Sequence, residues 1–279
     1  MKEECENPCR YFVKRLVHRF LDDDVSALAA ESTYYFILGL VPFMIFLANA
    51  MLFFAAPQVE FIAHLLQYLP QEVASTIEGH MYRIIQARSS LWMLVGLGAA
   101  LWTASNGVDT LIRAMDRAFF CDRNRQSYVV VKAKSMVFTM LISFAMIISL
   151  GLMVFGNAVV HGLTMYFQIP ALFLELWMMA KYGIPFAAIA LSLSAFYQWA
   201  PAGRRHDWMS VISASFLMTF LWLGLTSAYG YYMLHISSMG LTYGSLIGLI
   251  VLFVWFHLTA EVIILGGEGI MTWWEMKQR

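Results

Sequence analysis

Six long apolar runs constrain this chain more than any other feature of its sequence. A membrane-crossing helix needs about 20 mostly apolar residues, because each residue rises about 1.5 Å through about 30 Å of hydrocarbon. The runs are continuous and do not alternate with polar residues, so they predict helices and not barrel strands. The six predicted spans are Ala27–Phe54, Leu91–Ile112, Ser135–Val160, Tyr182–Ala200, Met209–Tyr231 and Gly244–Gly266.

The composition agrees with this interpretation and excludes several other classes of protein. Apolar residues make up 60% of the 279 residues and charged residues only 13%, whereas a soluble domain is about half apolar and a quarter charged. Basic and acidic residues number 18 each, so no net charge favours nucleic acid as a partner. We therefore expect an all-α, polytopic transmembrane helical bundle.

The chain divides into three predicted regions. They are a cytoplasmic N-terminal amphipathic segment over 1–26, a six-span domain over 27–270 and a cytoplasmic tail over 271–279. In the first outer loop, apolar residues recur at helical spacing from Val73 to Ile85, which predicts an amphipathic helix. Gln168, Pro170 and Glu175 interrupt the apolar segment Leu163–Met179, which we interpret as interfacial or re-entrant.

The basic residues give the orientation. Fifteen of the 18 lie before the first span, after the sixth, or in the connectors that follow the second and fourth spans. Cytoplasmic loops of membrane proteins carry an excess of Lys and Arg, so both termini are predicted to be cytoplasmic. The cysteines, Cys5, Cys9 and Cys121, are then expected on the cytoplasmic side as reduced thiols.

Polar residues inside the spans are the candidates for function, because an intramembrane charge is costly and usually faces protein or water. Glu31 lies on span one only ~6 Å inside the membrane, and Asp109 and Glu261 lie near the cytoplasmic ends of spans two and six. We expect a polar vestibule, open to the cytoplasmic leaflet, that binds a headgroup or a cation. Its candidate residues are Glu31, Tyr34, Tyr35, Asn106, Asp109, Arg113, His257, Glu261 and Glu268.

Each candidate also has a purely structural interpretation. Residues near the inner edge can extend to water or form structural pairs, as Asp109 and Arg113 can at a spacing of four residues. Glu268 reads as a helix-end residue at the interface. The run Asp22-Asp23-Asp24 before span one is typical of helix capping rather than of metal binding.

Several short motifs resemble those of one family of bacterial inner-membrane proteins, the YihY/BrkB family. The run Leu241–Leu246, with Trp255 and the ending Gly266-Gly267-Glu268, is similar to the last span of that family. Tyr197–Pro201 with Trp208 resembles its fourth-to-fifth span junction, and Tyr34-Tyr35 with Leu40–Pro42 resembles its first span. The resemblance covers about residues 12–272, and it differs at Gly267, where Ala is expected.

The resemblance implies roles in envelope integrity, serum resistance or export of a lipid-linked envelope precursor. It also brings an old ribonuclease label that is regarded as a misassignment. The seven histidines are scattered along the chain, and no zinc-helix or nucleotide-binding motif occurs. We expect a transporter or flippase of a lipid or lipid-linked envelope component, with membrane lipids as partners, or alternatively a non-transporting envelope scaffold. No catalytic residue, metal site or cofactor is predicted.

Overall fold

The computed structural model describes residues 8–66, 89–121, 127–166, 170–203, 207–235 and 246–278. Within these ranges the chain forms seven α-helices and no strand. The helices are α1 (Pro8–Asp22), α2 (Val25–Leu66), α3 (Ser90–Ala118), α4 (Tyr128–Tyr166), α5 (Ala171–Trp199), α6 (Trp208–His235) and α7 (Ile247–Lys277). The amphipathic helix predicted over Val73–Ile85 falls outside the described residues.

Helices α2 to α7 are each long and apolar enough to cross a membrane, which confirms the all-α fold and its six spans. They extend past the predicted ends of the apolar runs. Arg113 and Arg117 lie in α3, and Lys132 and Lys134 lie in α4. Placing these cations in a connector was therefore wrong, because Lys and Arg are good helix formers and continue a helix beyond its apolar part.

The re-entrant interpretation of Leu163–Met179 is also wrong where the structure describes this segment, and the interfacial interpretation stays a prediction. Residues 163–166 end α4, and Ala171 begins α5, which continues without a break to Trp199. Pro170 stands immediately before the first turn, where the missing N–H of a proline costs nothing. Glu175 is exposed on the helix surface and does not interrupt it.

Two compact units make up the chain. The first unit contains residues 1–34 and 105–279, and the second contains residues 35–104. In the first unit, neighbouring pairs of helices pack along the chain from α4 to α7, and α1 packs against α7. Many hydroxyl groups in these spans donate to the carbonyl one turn earlier, as Ser215 does to Val211, so they need no external partner.

A close helix contact characterises the second unit. A Cβ added at Gly96 on α3 would lie 2.7 Å from the backbone nitrogen of Phe46 on α2 and 3.0 Å from the carbonyl oxygen of Pro42. Gly96 thus lets the two backbones approach closely, as small residues commonly do between membrane helices. Gly224 on α6 and Gly248 on α7 face open space within this chain.

The acidic run before span one forms the turn between α1 and α2. Asp24 has a positive φ of 53°, a conformation that Asp tolerates better than most residues. Its carbonyl accepts the backbone N–H of Leu28 at 3.1 Å. Arg117 Nη1 lies 4.0 Å from Asp24 Oδ2 and 3.5 Å from the carbonyl oxygen of Asp23, so the turn also meets the end of α3.

Candidate functional site

A group of polar side chains joins α2 and α3 within their apolar stretches. Arg113 on α3 donates a hydrogen bond to the carboxylate of Glu31 on α2, and Thr110 donates to the same oxygen at 3.3 Å. The guanidinium also donates to Thr110 Oγ1 at 2.8 Å. Asp109 Oδ2 lies 3.8 Å from Arg113 Nε, which confirms the predicted pairing of these two residues. The hydrogen bond to Glu31 adds a contact between helices that sequence spacing could not predict.

Lys132 on α4 extends this group to a third helix. Its ammonium donates to Ser105 Oγ at 2.7 Å and to Asn106 Oδ1 at 2.5 Å, and it interacts electrostatically with Asp109. Sequence reasoning missed Lys132, although the apolar run Tyr128–Val131 directly before it indicates that the helix starts earlier. We call these residues the α2–α4 polar network: Glu31, Ser105, Asn106, Asp109, Thr110, Arg113 and Lys132.

The network balances its charges and leaves several of them accessible. Glu31 and Asp109 offset Arg113 and Lys132, so the formal net charge is zero. The side chains of Glu31, Arg113 and Asp109 remain 36%, 33% and 26% exposed. Ionised groups on membrane-crossing helices are costly in hydrocarbon, so such side chains usually face protein or water.

His257 and Glu261 form a second pair on α7. His257 Nε2 lies 3.2 Å from Glu261 Oε1, as expected for residues one turn apart on one helix face. Ser26 Oγ on α2 lies 3.5 Å from the same nitrogen, and Nδ1 is buried without a hydrogen-bond partner among the described residues. Because Ser26 precedes Glu31 by five residues, or ~7.5 Å along the helix, α2 contributes to both groups.

A third group is sealed from solvent and was not predicted. Arg19 on α1 donates to Glu268 Oε2 at 2.7 Å, to Glu275 Oε1 at 2.9 Å and to the carbonyl oxygen of Ala118 at 2.6 Å. Its guanidinium also lies 5.1 Å from the ring centroid of Phe120. Arg19 is 3% exposed and Glu268 is fully buried, so this ion pair has no access to water.

Glu268 is therefore not the helix-end residue that the sequence suggested. It lies well inside α7, and its second oxygen has no hydrogen-bond partner in the described part of the chain. The sequence contains a pattern that could have predicted this group of contacts. Arg15 and Arg19 lie one turn apart, Glu268 and Glu275 lie two turns apart, and Arg15 Nε is 3.1 Å from Glu275 Oε2. Two basic residues facing two acidic residues indicate contact between α1 and α7.

The two glycines before Glu268 permit close packing against two other helices. A Cβ at Gly266 would lie 2.0 Å from the hydroxyl oxygen of Tyr197 on α5, which itself donates to the carbonyl of Ile263 at 2.8 Å. A Cβ at Gly267 would lie 2.5 Å from Met115 Sδ on α3. The run Gly266-Gly267-Glu268 thus packs against α5, α3 and α1 in turn, which gives the motif a structural role.

The turn after α5 is fixed to the end of α3. Ala202 N–H donates to Asp116 Oδ1 at 2.7 Å, and Asp116 is only 4% exposed. A Cβ at Gly203 would lie 2.1 Å from Cys121 Sγ, so the thiol sits directly against this glycine. Burial, with the nearby Asp116 carboxylate, raises the pKa of Cys121 above its ordinary value.

The two tyrosine candidates fall in different units. Tyr34 belongs to the first unit and is 56% exposed, whereas Tyr35 belongs to the second. The described residues contain no group of three or more His, Cys, Asp or Glu side chains that could hold a metal ion. Three cavities in the first unit are lined by other residues than the candidates, mainly on α4 to α7.

Comparison with known proteins gives the family. A profile of the family described as virulence factor BrkB matches residues 16–277. The ribonuclease-like protein YfkH of Bacillus subtilis is 29% identical over 257 residues, which cover 92% of this chain and 93% of that protein.

Two relatives named UPF0761 membrane proteins are 23% identical. The match to the protein from Kangiella koreensis covers 91% of this chain and 62% of the relative, and the match to that from Delftia acidovorans covers 93% and 61%. The chain thus spans about three fifths of the length of these two relatives. No solved structure matches the chain. The multi-pass architecture and the matched profile confirm the predicted family, and the chain belongs to the BrkB virulence factor family of membrane proteins.

Proposed function

We propose that this protein is a transporter or flippase that moves a lipid or lipid-linked envelope component across the bacterial cytoplasmic membrane. The observation that carries the proposal is the partial exposure of three charged side chains on membrane-crossing helices: Glu31, Asp109 and Arg113. The Arg19–Glu268 pair differs, because it is sealed from solvent and no ligand can reach its charges. Accessible charges, in contrast, can bind a charged ligand that enters the space between the helices.

The orientation in this proposal puts both termini in the cytoplasm. Fifteen of the 18 basic residues are then on the cytoplasmic side, as the distribution in other membrane proteins leads us to expect. The α2–α4 polar network lies near the cytoplasmic ends of its helices. A headgroup would therefore enter from the inner leaflet, and the vestibule would comprise this network together with His257 and Glu261.

The chemistry of the network suits a charged headgroup. Arg113 holds Glu31 and Thr110, and it can exchange these partners for phosphate oxygens, which a guanidinium binds in a bidentate manner. Histidine and glutamate side chains on membrane helices are typical of proton relays, and His257 Nε2 lies 3.2 Å from Glu261 Oε1. We propose that this pair couples the movement of the headgroup to protons.

Reconstitution in liposomes tests the proposal. The wild-type protein should move fluorescent phospholipid between leaflets faster than protein-free liposomes. Glu261→Gln and Arg113→Gln should each lower the rate by about tenfold, the effect of about 1.4 kcal/mol of lost interaction. Glu175→Gln removes an exposed carboxylate from the first turns of α5 and should leave the rate unchanged. Wild-type rates equal to those of empty liposomes, across several headgroups and pH gradients, would contradict the proposal.

A non-transporting envelope scaffold is the second candidate, and one observation favours it. The sealed Arg19–Glu268 pair fastens the N-terminal helix to the last helix, which is typical of a rigid framework. A scaffold binds other envelope proteins and does not move lipid across the membrane. In-membrane cross-linking that captures a discrete partner, from a protein that moves no lipid after reconstitution, would favour the scaffold.

We do not propose nuclease activity, although the name of the Bacillus relative contains the word ribonuclease. A metal-dependent nuclease needs clustered metal ligands, and the described residues contain no such group. Purified protein incubated with labelled RNA and Mg²⁺ should leave the RNA intact. Cleavage that copurifies with the protein through two chromatographic steps would contradict this expectation.

A further inference from the structure

A cleft at the ends of α6 and α7 is lined by none of the charged residues discussed above. Its mostly apolar part has a volume of about 260 Å³ and is lined by Phe12 of α1, by Ala214, Leu217 and Met218 of α6, and by Gly266 and Gly269 of α7. A second cavity of about 250 Å³ shares Ser210, Ile270 and Trp273 with the first, so the two form one continuous cleft.

The polarity of the cleft changes along its length. Ser210 and Ser213 contribute hydroxyl groups to the mostly apolar part, whereas the other part adds the charged side chains of Asp207 and Lys277 and the amide of Gln278. Trp273 and Trp274 lie beside this charged part and are 48% and 41% exposed. Tryptophan favours the membrane–water interface, so the charged part of the cleft lies at headgroup level.

We propose that this cleft binds one phospholipid of the inner leaflet with a zwitterionic, amine-bearing headgroup. Asp207 presents a carboxylate to the ammonium group and Lys277 presents an ammonium to the phosphate. An acyl chain lies along the apolar part between α6 and α7. The opposite charges of these two residues favour a headgroup that itself carries both charges over an anionic headgroup.

The small residues of the cleft make room for the chain. Ala214 on α6 and Gly269 on α7 both line it, and a Cβ at Gly269 would still be 4.0 Å from the ring of Phe12. A large side chain at either position would fill the space that the acyl chain occupies. The site does not depend on the proposed transport function, because binding is measured without flux.

The experiment titrates the purified full chain in detergent with dioleoyl phosphatidylethanolamine or dioleoyl phosphatidylglycerol and counts retained lipid by native mass spectrometry. The wild-type protein should retain one phosphatidylethanolamine at concentrations where phosphatidylglycerol is not retained. Asp207→Asn and Lys277→Gln should each weaken retention about tenfold, corresponding to about 1.4 kcal/mol. Both residues are exposed, so neither variant should disturb folding.

A pair of tryptophan variants tests the acyl-chain part of the cleft. Ala214→Trp should abolish retention of phosphatidylethanolamine, whereas Gly224→Trp, on the same helix but facing open space, should retain it. Phosphatidylglycerol bound as tightly as phosphatidylethanolamine would overturn the proposal. So would equal retention by the wild-type protein and the Asp207→Asn and Lys277→Gln variants, whatever the folding of Ala214→Trp.

Discussion

Access to solvent separates the two kinds of ion pair in this protein at the scale of single residues. Arg19 and Glu268 are sealed between α1 and α7, whereas Glu31 and Arg113 are each about one third exposed. A sealed pair depends on both partners, because removing one leaves an uncompensated buried charge. An accessible pair can exchange its partner for water or a ligand. Stability and function should therefore respond to different pairs.

Loss of the sealed pair should destabilise the protein strongly. Arg19→Ala leaves the buried Glu268 carboxylate without its cation, at a cost of about 3–5 kcal/mol. Arg15→Ala, which removes a partly exposed partner of Glu275, should cost no more than about 1 kcal/mol. Thermal unfolding of both variants in the same detergent measures the difference. Equal melting temperatures for the two variants would contradict a sealed pair.

The reactivity of Cys121 should depend on pH in a defined direction. Its raised pKa lowers the fraction of reactive thiolate at any pH below that pKa. In a Cys5→Ser, Cys9→Ser background, alkylation of native protein should still increase steeply at pH values where alkylation of the denatured chain has reached its plateau. The two pH profiles are compared with iodoacetamide. A native profile that reaches its plateau at lower pH than the denatured one would show that the pKa is not raised.

For the helices, local features could be predicted from the sequence, whereas contacts between helices could not. The spans follow from apolar length, a local property, and all six were predicted. The hydrogen bond between Glu31 and Arg113, on two helices, depends on how each helix is rotated about its axis, which the sequence does not specify. The Asp109–Arg113 pair was predictable because it lies one turn apart on a single helix.

The start of α5 shows why local interruptions misled the prediction. Pro170 and Glu175 resemble breaks in an apolar run, but proline suits the beginning of a helix, and the exposed glutamate lies on its surface. A sequence pattern records which residues are polar and does not record which side of a helix will be covered. The same uncertainty explains why Glu268, fully buried by Arg19, was interpreted as a helix-end residue.

Alanine substitutions should distinguish the two glycines of α7. At Gly266 the added Cβ would meet the Tyr197 hydroxyl, which is fixed by its hydrogen bond to Ile263, so overpacking should cost about 1–3 kcal/mol. At Gly267 the neighbour is the flexible end of Met115, and the better helix propensity of alanine, worth up to about 1 kcal/mol, offsets the contact. Melting temperatures of the two variants provide the measurement. A lower melting temperature for Gly267→Ala than for Gly266→Ala would contradict this packing.

Partly exposed polar side chains on α2, α3 and α7 are the central feature of the whole molecule, and we propose that they face the cytoplasm. The fold class, the six spans and the family follow from sequence, because they depend on apolar length and on short motifs. The partners of Arg19 and Lys132 could not be predicted from the sequence, because both residues were assigned to cytoplasmic segments on the basis of their charge alone. Their burial requires neighbouring helices that only the folded chain brings together.

Cysteine accessibility measures from which side of the membrane these polar positions can be reached. In a chain whose native cysteines are replaced by serine, Glu31→Cys and Glu261→Cys are treated with a membrane-impermeant thiol reagent in inside-out and right-side-out vesicles. Ser215→Cys, at a fully buried position, is the unreactive control, and Glu175→Cys reports the outer side. We predict that positions 31 and 261 react only in inside-out vesicles and position 175 only in right-side-out vesicles. Reaction of positions 31 and 261 only in right-side-out vesicles, or no more reaction than Ser215→Cys in either, would contradict the account.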